Sequence, residues 1–386
     1  GSYQGFSDLD RDRTVFNQEL RLDSTLTRSA LGWIDRWTLG AFLANTRETS
    51  AYTNSDPDNI RGLRTRYSAD NTALFGQIAH DLAAQTRLVV GLRSEWVDLD
   101  GRGTKTRYRA ARKAFDPEVT FHPVFDDTVF GAKVTLEHDL NANQLVFASV
   151  TRGYKAGGIN IDARISPPAD PLTYGTETLW NYEVGLRGNW LDHALTGELT
   201  AFYLDRRDTQ VRDSAGFGGN YRFFTANARR AHVAGLEASA AYALTKELSL
   251  HATLAQMGSA LDRFTLTNGN AGGGRRLANT PRYGYTLGTR YRDAAGFFAN
   301  AELVGRAEQF DSNNQNEARR AFRLVNASLG YTWHPWTFTV WGRNLANTRY
   351  EKRVYFFGNE DPDYVDTRYE DRADPRQVGV SAAYRF

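Results

Sequence analysis

The feature that most constrains this chain is the rhythm of its connections. Short polar turns at 81–85, 139–143, 190–194, 244–247, 292–296 and 334–335 alternate with long links at 48–71, 100–128, 156–179, 213–223, 262–281, 311–321 and 351–376. After the first hairpin the alternation has no exception. Between the connections the side chains alternate with period two, as strands require. Trp180, Tyr182, Val184 and Leu186 fall on one face, and Asn181, Glu183, Gly185 and Arg187 on the other. The last ten residues repeat the pattern, with Val378, Val380, Ala382, Tyr384 and Phe386 opposite Gln377, Gly379, Ser381, Ala383 and Arg385. An antiparallel meander with tight turns at one end and long loops at the other is the layout of an outer-membrane barrel. A soluble sandwich gives no reason for such strict alternation. The reading is all-β: one transmembrane antiparallel barrel domain over residues 1–386, with about fifteen strands (14–16) in the chain.

Composition agrees with that reading. The chain has 386 residues, and 47 Lys+Arg against 45 Asp+Glu leave a net charge of +2, which argues against nucleic acid as a partner. Cysteine is absent, so disulfides, thiolate metal sites and thiol catalysis are excluded. The 19 Tyr, 22 Phe and 8 Trp suit strands with interfacial rings. No run of roughly 18 apolar residues exists, so no helix crosses a membrane. A polar average is no objection, because the lumen face of a barrel is polar.

Parity adds an expectation. Counting back from a terminal strand that ends on the periplasmic side, the first strand starts outside, and residues 1–13 lie extracellularly. Complete bacterial barrels have an even strand number. Either one strand is hidden, with Arg102 to Phe115 the place for it, or the chain starts in the middle of a larger barrel.

Several segments resemble the C-terminal barrel region of TonB-dependent outer-membrane receptors. They are Phe16–Leu22, Leu145–Gly158 with its Thr151-Arg152-Gly153-Tyr154-Lys155 core, Asn181–Leu186, Val233–Glu237, Asn344–Tyr350, Pro375-Arg376 and the final Phe386. The resemblance implies an outer-membrane location and uptake of a scarce ligand such as a ferric siderophore or another large nutrient. It also implies insertion by the barrel-assembly machinery through the C-terminal strand, with Tyr384 and Phe386 as the signal. The family's plug domain and TonB box have no counterpart in this chain. Its transporters have 22 strands, which places about seven strands before Phe16. A plug or partner chain is therefore an expected partner. The alternative is a plugless structural barrel that associates with another outer-membrane protein. No cofactor is expected.

Candidate ligand contacts lie in the long loops. Arg152, Tyr154 and Lys155 sit where a strand leaves the membrane, a basic and aromatic rim suited to an anionic or chelate ligand. Tyr355, Phe356, Phe357 and Tyr364 offer rigid rings for capture. Asp361, Asp363 and Asp366 lie beside Glu360, Glu370 and Asp371, a set of oxygens of the kind calcium takes, although no EF-hand spacing is present. A barrel-borne hydrolase would need a histidine near the outer rim with a nucleophile at hand. His138, His193 and His334 fall at short turns, and His122 and His232 face no evident nucleophile. No catalytic residue and no metal spacing is assigned. Glu183, Arg187, Glu237 and Arg343 lie on polar faces and are read as lumen wall.

Overall fold

The computed structural model describes residues 6–24, 34–56, 58–161, 170–215, 222–265, 269, 271–313, 315–358, 360, 363 and 365–386. A 17-stranded antiparallel sheet contains nearly all of the regular structure. Two of its members, Ala114–Phe115 and Val119–Phe121, are short additions to one strand edge, which leaves fifteen long strands. In chain order these are β1 (Phe6–Asp23), β2 (Arg36–Asp56), β3 (Asn59–Ala83), β4 (Thr86–Arg109) and β5 (Val124–Asn141). Then follow β6 (Gln144–Lys155), β7 (Glu177–Trp190), β8 (Leu195–Ala215), β9 (Arg222–Ala243) and β10 (Leu248–Leu261). The last five are β11 (Tyr283–Arg292), β12 (Phe297–Arg306), β13 (Phe322–Trp333), β14 (Trp336–Arg343) and β15 (Gln377–Tyr384). Each pairs with its chain neighbours, and among the described residues β1 and β15 are the sheet's two edges.

The fifteen expected strands are all present, but their outer ends differ from expectation. The links at 48–71 and 100–128 are largely strand. β2 and β3 stay in register up to Asp56↔Asn59, and β3 and β4 up to Asn59↔Arg109. Arg102–Arg109 is therefore the top of β4 rather than a hidden barrel strand. Phe6–Arg13, expected to be extracellular, is the outer part of β1, paired with Ser55–Glu48 of β2. In the other direction, the strand read over 336–350 stops at Arg343, where Asn344 (φ 49°) and Asn347 (φ 52°) turn the chain. Asparagine tolerates that left-handed conformation better than most residues do.

The two faces separate as the alternation requires. One face carries exposed Leu20, Leu43, Leu74, Leu92, Val134, Val184, Leu199, Leu236, Leu254, Leu287, Leu329 and Val380. Exposed apolar side chains repeated across a whole sheet need a lipid neighbour. Rings mark the ends of this band. At the short turns, Trp336 stacks with Phe338 at 6.0 Å and packs edge-on to Tyr384 at 5.0 Å. Eight residues up from their own short turn, Tyr182 and Tyr203 are 6.4 Å apart. The opposite face seats rings against glycines of the next strand, as with Phe75 opposite Gly40 and Phe147 opposite Gly185. A Cβ at either glycine would overlap the ring. Buried apolar residues collect at the outer ends, under the loops. Ala69, Val97, Leu99 and Val129 form one cluster, and Val211, Ala228, Ala231, Leu261 and Leu277 another.

Candidate ligand-binding site

On the inner face, three strands converge on one polar network. Arg93 of β4 donates from Nε and Nη2 to Glu95 Oε2 at 3.1 and 2.9 Å. Its Nε also reaches Tyr154 Oη of β6 at 3.0 Å. Tyr154 in turn donates to Glu95 Oε2 at 2.7 Å, and Asn71 of β3 donates to Glu95 Oε1 at 2.9 Å. β5 runs between β4 and β6, and the contact crosses it at Gly131, where a Cβ would stand 3.4 Å from the Tyr154 ring. The Arg93 guanidinium lies over Phe42 and Phe75, 5.6 and 5.7 Å from their centroids. A charged pair held by rings and further hydrogen bonds is a fixed feature of the wall, with its geometry set before any ligand arrives.

Nearer the mouth, Phe202, Met257, Ser259, Arg276 and Arg282 line a hollow of about 720 Å³. Arg276 Nη2 meets Glu308 Oε1 at 2.9 Å. Its neighbour Arg275 stacks on Phe310 at 3.9 Å and donates to the carbonyls of Ser312, at 2.9 Å, and Gln315. Burial pulls the Arg275 guanidinium below its ordinary pKa, and the adjacent Arg276 adds to that. Two arginines held beside one ring make a rigid cationic lip.

The loop between β14 and β15 folds into its own hairpin, Glu351–Phe357 against Thr367–Arg372. Arg368 ties this hairpin to the preceding loop. It reaches Glu351 Oε1 at 2.8 Å, Glu317 Oε2 at 2.8 Å and Glu370 Oε1 at 3.0 Å. Asp311 accepts from Arg319 at 2.9 Å and from the Val354 amide at 2.8 Å. Burial works against the Arg368 charge, yet Glu370, Glu317 and Glu351 together raise its pKa. The hydrogen bond from Arg368 holds the Glu370 carboxyl below the usual range. The two outer loops are thus one bonded body, and its joints are charge-assisted.

The residues expected to bind ligand do not form one group. Tyr154 joins the inner network. Arg152 is in register with Trp180 and lends its guanidinium to the Phe130 carbonyl. Lys155 is exposed, and its carbonyl accepts from Gln210 at 3.3 Å. Tyr355 is half-buried, faces Tyr369 across the hairpin and carries Arg353 at 4.7 Å. Phe356 is half-buried and its carbonyl accepts from Gln315 at 2.8 Å. The side chain of Phe357, and Tyr364 and Asp361 altogether, lie outside the described residues. Asp363 and Asp366 are exposed, and no group of three metal-ligating side chains occurs among the described residues. Tyr384 packs edge-on to Phe386 at 5.2 Å on the outward face. Of the wall residues, Glu183 accepts from Ser149 at 3.1 Å and Asn181 at 2.8 Å. Arg187 stacks on Phe147 at 5.1 Å and Arg343 on Trp341 at 5.5 Å.

Sequence reading missed Asn71, Arg93, Glu95, Arg276 and Arg368. The signal for Arg93 and Glu95 was present: they are the polar alternates of Leu92 and Trp96 in a clean strand. Among the histidines, His80 bonds Asp35 at 3.0 Å and His122 bonds Asp100 at 2.7 Å. Among the described residues, neither imidazole is bonded to a hydroxyl.

Comparison with known proteins agrees with this architecture. The fold of the ferric yersiniabactin uptake receptor FyuA from Yersinia pestis superposes with a TM-score of 0.78 at 17% identity, over 98% of this chain and 55% of that one. The siderophore receptor PiuA from Acinetobacter baumannii gives 0.71 at 14% identity, over 97% and 56%. The ferric-catecholate import receptor Fiu from K12 E. coli gives 0.61 at 13% identity, over 99% and 61%. The chain therefore spans little more than half the length of these structures. The family model for the TonB dependent receptor-like β-barrel matches residues 1–345. With that match on a lipid-faced meander of long outer loops, the chain belongs to the TonB-dependent receptor β-barrel family of the Gram-negative outer membrane.

Proposed function

We propose that this barrel takes part in uptake of a ferric siderophore or a comparable large chelate across the outer membrane. The observation that carries the reading is the bonded outer-loop body beside a cationic hollow, at the end of the barrel with the long loops. A hollow of about 720 Å³ is in the range of small-molecule sites. Arg282, with Arg276 whose charge is shared with Glu308, offers cationic contacts to a carboxylate- or catecholate-bearing iron complex, and Phe202 supplies an apolar wall. Of the three receptors named above, two are described by a ferric ligand and one as a siderophore receptor, and the proposal extends that class to this chain. The inner network of Asn71, Arg93, Glu95 and Tyr154 then faces the lumen, where a plug is the expected neighbour. No catalytic role belongs to this reading, because ligand passage needs binding and release rather than bond chemistry.

The test uses iron-limited cells that lack the gene, complemented with the full-length protein or with its Arg276→Ala/Arg282→Ala variant. The expected result is accumulation of a radio-iron chelate in the first and a fall of at least ten-fold in the second, at equal surface expression. Equal accumulation in the deletion strain and the complemented strain, across a panel of chelates, contradicts the proposal.

A further inference from the structure

The outward face carries a second charged feature that lumen chemistry does not use. On β8, three consecutive polar residues divide between the faces. Arg206 turns inward to Glu177, 2.5 Å away, while Asp205 and Arg207 turn outward. Asp205 there receives Arg230 of β9 through two bonds, at 2.6 and 3.1 Å, and Arg207 at 3.6 Å. The carboxylate is buried, with 8% of its side chain accessible, whereas Arg207 and Arg230 are 62% and 50% accessible. One buried carboxylate thus holds two open guanidinium groups.

The height of this triad matters. Asp205 stands ten residues above Leu195, the first residue after the short turn. At about 3.3 Å per residue and a tilt of about 40°, that is about 25 Å, the height of a barrel's apolar band. Directly below lie Tyr203 and Tyr182, and His232 stacks on Tyr203 at 6.4 Å. Trp180 is in register with Asp205 on one side and with Arg152 on the other. Aromatic rings with cations just above them are the arrangement of an outer membrane–water interface. A guanidinium offers a planar fork that matches phosphate oxygens, and two forks fixed by one carboxylate are pre-arranged for a doubly charged group.

We propose that Arg207 and Arg230, positioned by Asp205, form a binding site for the phosphate monoester of an outer-leaflet lipid headgroup. Asp262, whose amide donates to the Arg230 carbonyl at 2.9 Å, is the other nearby acid and offsets part of the charge of Arg230. The site lies on the lipid side of the wall, so it is independent of what passes through the lumen.

The test is native mass spectrometry of the full-length protein in mild detergent, titrated separately with phosphatidic acid and with zwitterionic phosphatidylcholine. The expected result for the natural protein is phosphatidic acid bound at least ten-fold more tightly. Arg207→Gln should reduce that preference at least three-fold, and Arg207→Gln/Arg230→Gln should abolish it. The heat-dependent shift in gel mobility that folded barrels give reports whether each variant is folded. Arg207 is mostly exposed and its bond to Asp205 is long, so the single variant decides even where the double variant does not assemble. An unchanged preference in Arg207→Gln overturns the proposal, as does equal binding of the two lipids by the natural protein.

Discussion

Replacing Val184 with arginine is expected to destabilise the barrel by about 2–4 kcal/mol, the cost of a cation at the middle of a lipid-facing wall. Val184 is 58% exposed and sits six residues from Trp190 and four from Trp180, the rings at the two ends of its strand. Its register partners are Ala148 on β6 and Ala201 on β8, neither of which can pair with the new charge. One residue away the outcome reverses. Glu183 faces the lumen, where it accepts from Ser149 and Asn181, and Glu183→Gln keeps an acceptor for both. That change should cost less than about 1 kcal/mol, the range of one exchanged hydrogen bond in a wet setting. Urea unfolding of the protein in lipid vesicles measures both. Equal losses for the two variants would mean that the faces are assigned wrongly.

Arg368→Ala is expected to release the hairpin Glu351–Phe357/Thr367–Arg372 while the barrel stays intact. The substitution leaves Glu351, whose side chain is 6% accessible, without its 2.8 Å partner, and also frees Glu317 and Glu370. Glu351 then keeps the Arg320 amide at 3.0 Å, but removing one partner of a buried ion pair still costs about 3 kcal/mol. Where opening is fast, this raises the rate of proteolysis about a hundred-fold. Chymotrypsin cleavage after Tyr355, Phe356 or Tyr369 reads the effect, and the urea midpoint of the barrel should not move. Arg368→Lys should recover only part of the protection, because one ammonium cannot replace three directed bonds. Unchanged cleavage in Arg368→Ala would show that the loops are held by something else.

The contrast between these two sites explains what could be read from the sequence. Membrane strands obey a period of two that the bilayer enforces on every residue, so Val184 and Glu183 announce their faces by position alone. The strand count and the places of the short turns follow for the same reason. Above the membrane that constraint ends. Strands β2, β3 and β4 continue upward through Arg64, Arg66 and Arg102, where polar residues occupy both faces and the alternation of hydrophobicity disappears. Sequence reading therefore took those ends for loops. Arg368 shows the other limit. Its partners Glu317 and Glu351 are 51 and 17 residues away, and no local pattern encodes such a meeting. Tyr154 was found as a rim aromatic, but its place in the inner network depends on Arg93 and Glu95, about sixty residues earlier and two strands away. Ligand contacts built from several loops are scattered in sequence because the fold alone assembles them.

The central claim is that the long loops, with their cationic hollow and bonded hairpin, face the outside of the cell. The absence of cysteine makes this directly measurable. Asp363→Cys places a thiol on the exposed outer loop, and Lys246→Cys places one in the exposed turn between β9 and β10. Intact cells expressing each full-length variant are treated with a membrane-impermeant maleimide. The account predicts labelling of Cys at position 363 in intact cells and of Cys at position 246 only after the outer membrane is opened. Labelling at position 246 in intact cells, with position 363 protected, would contradict it.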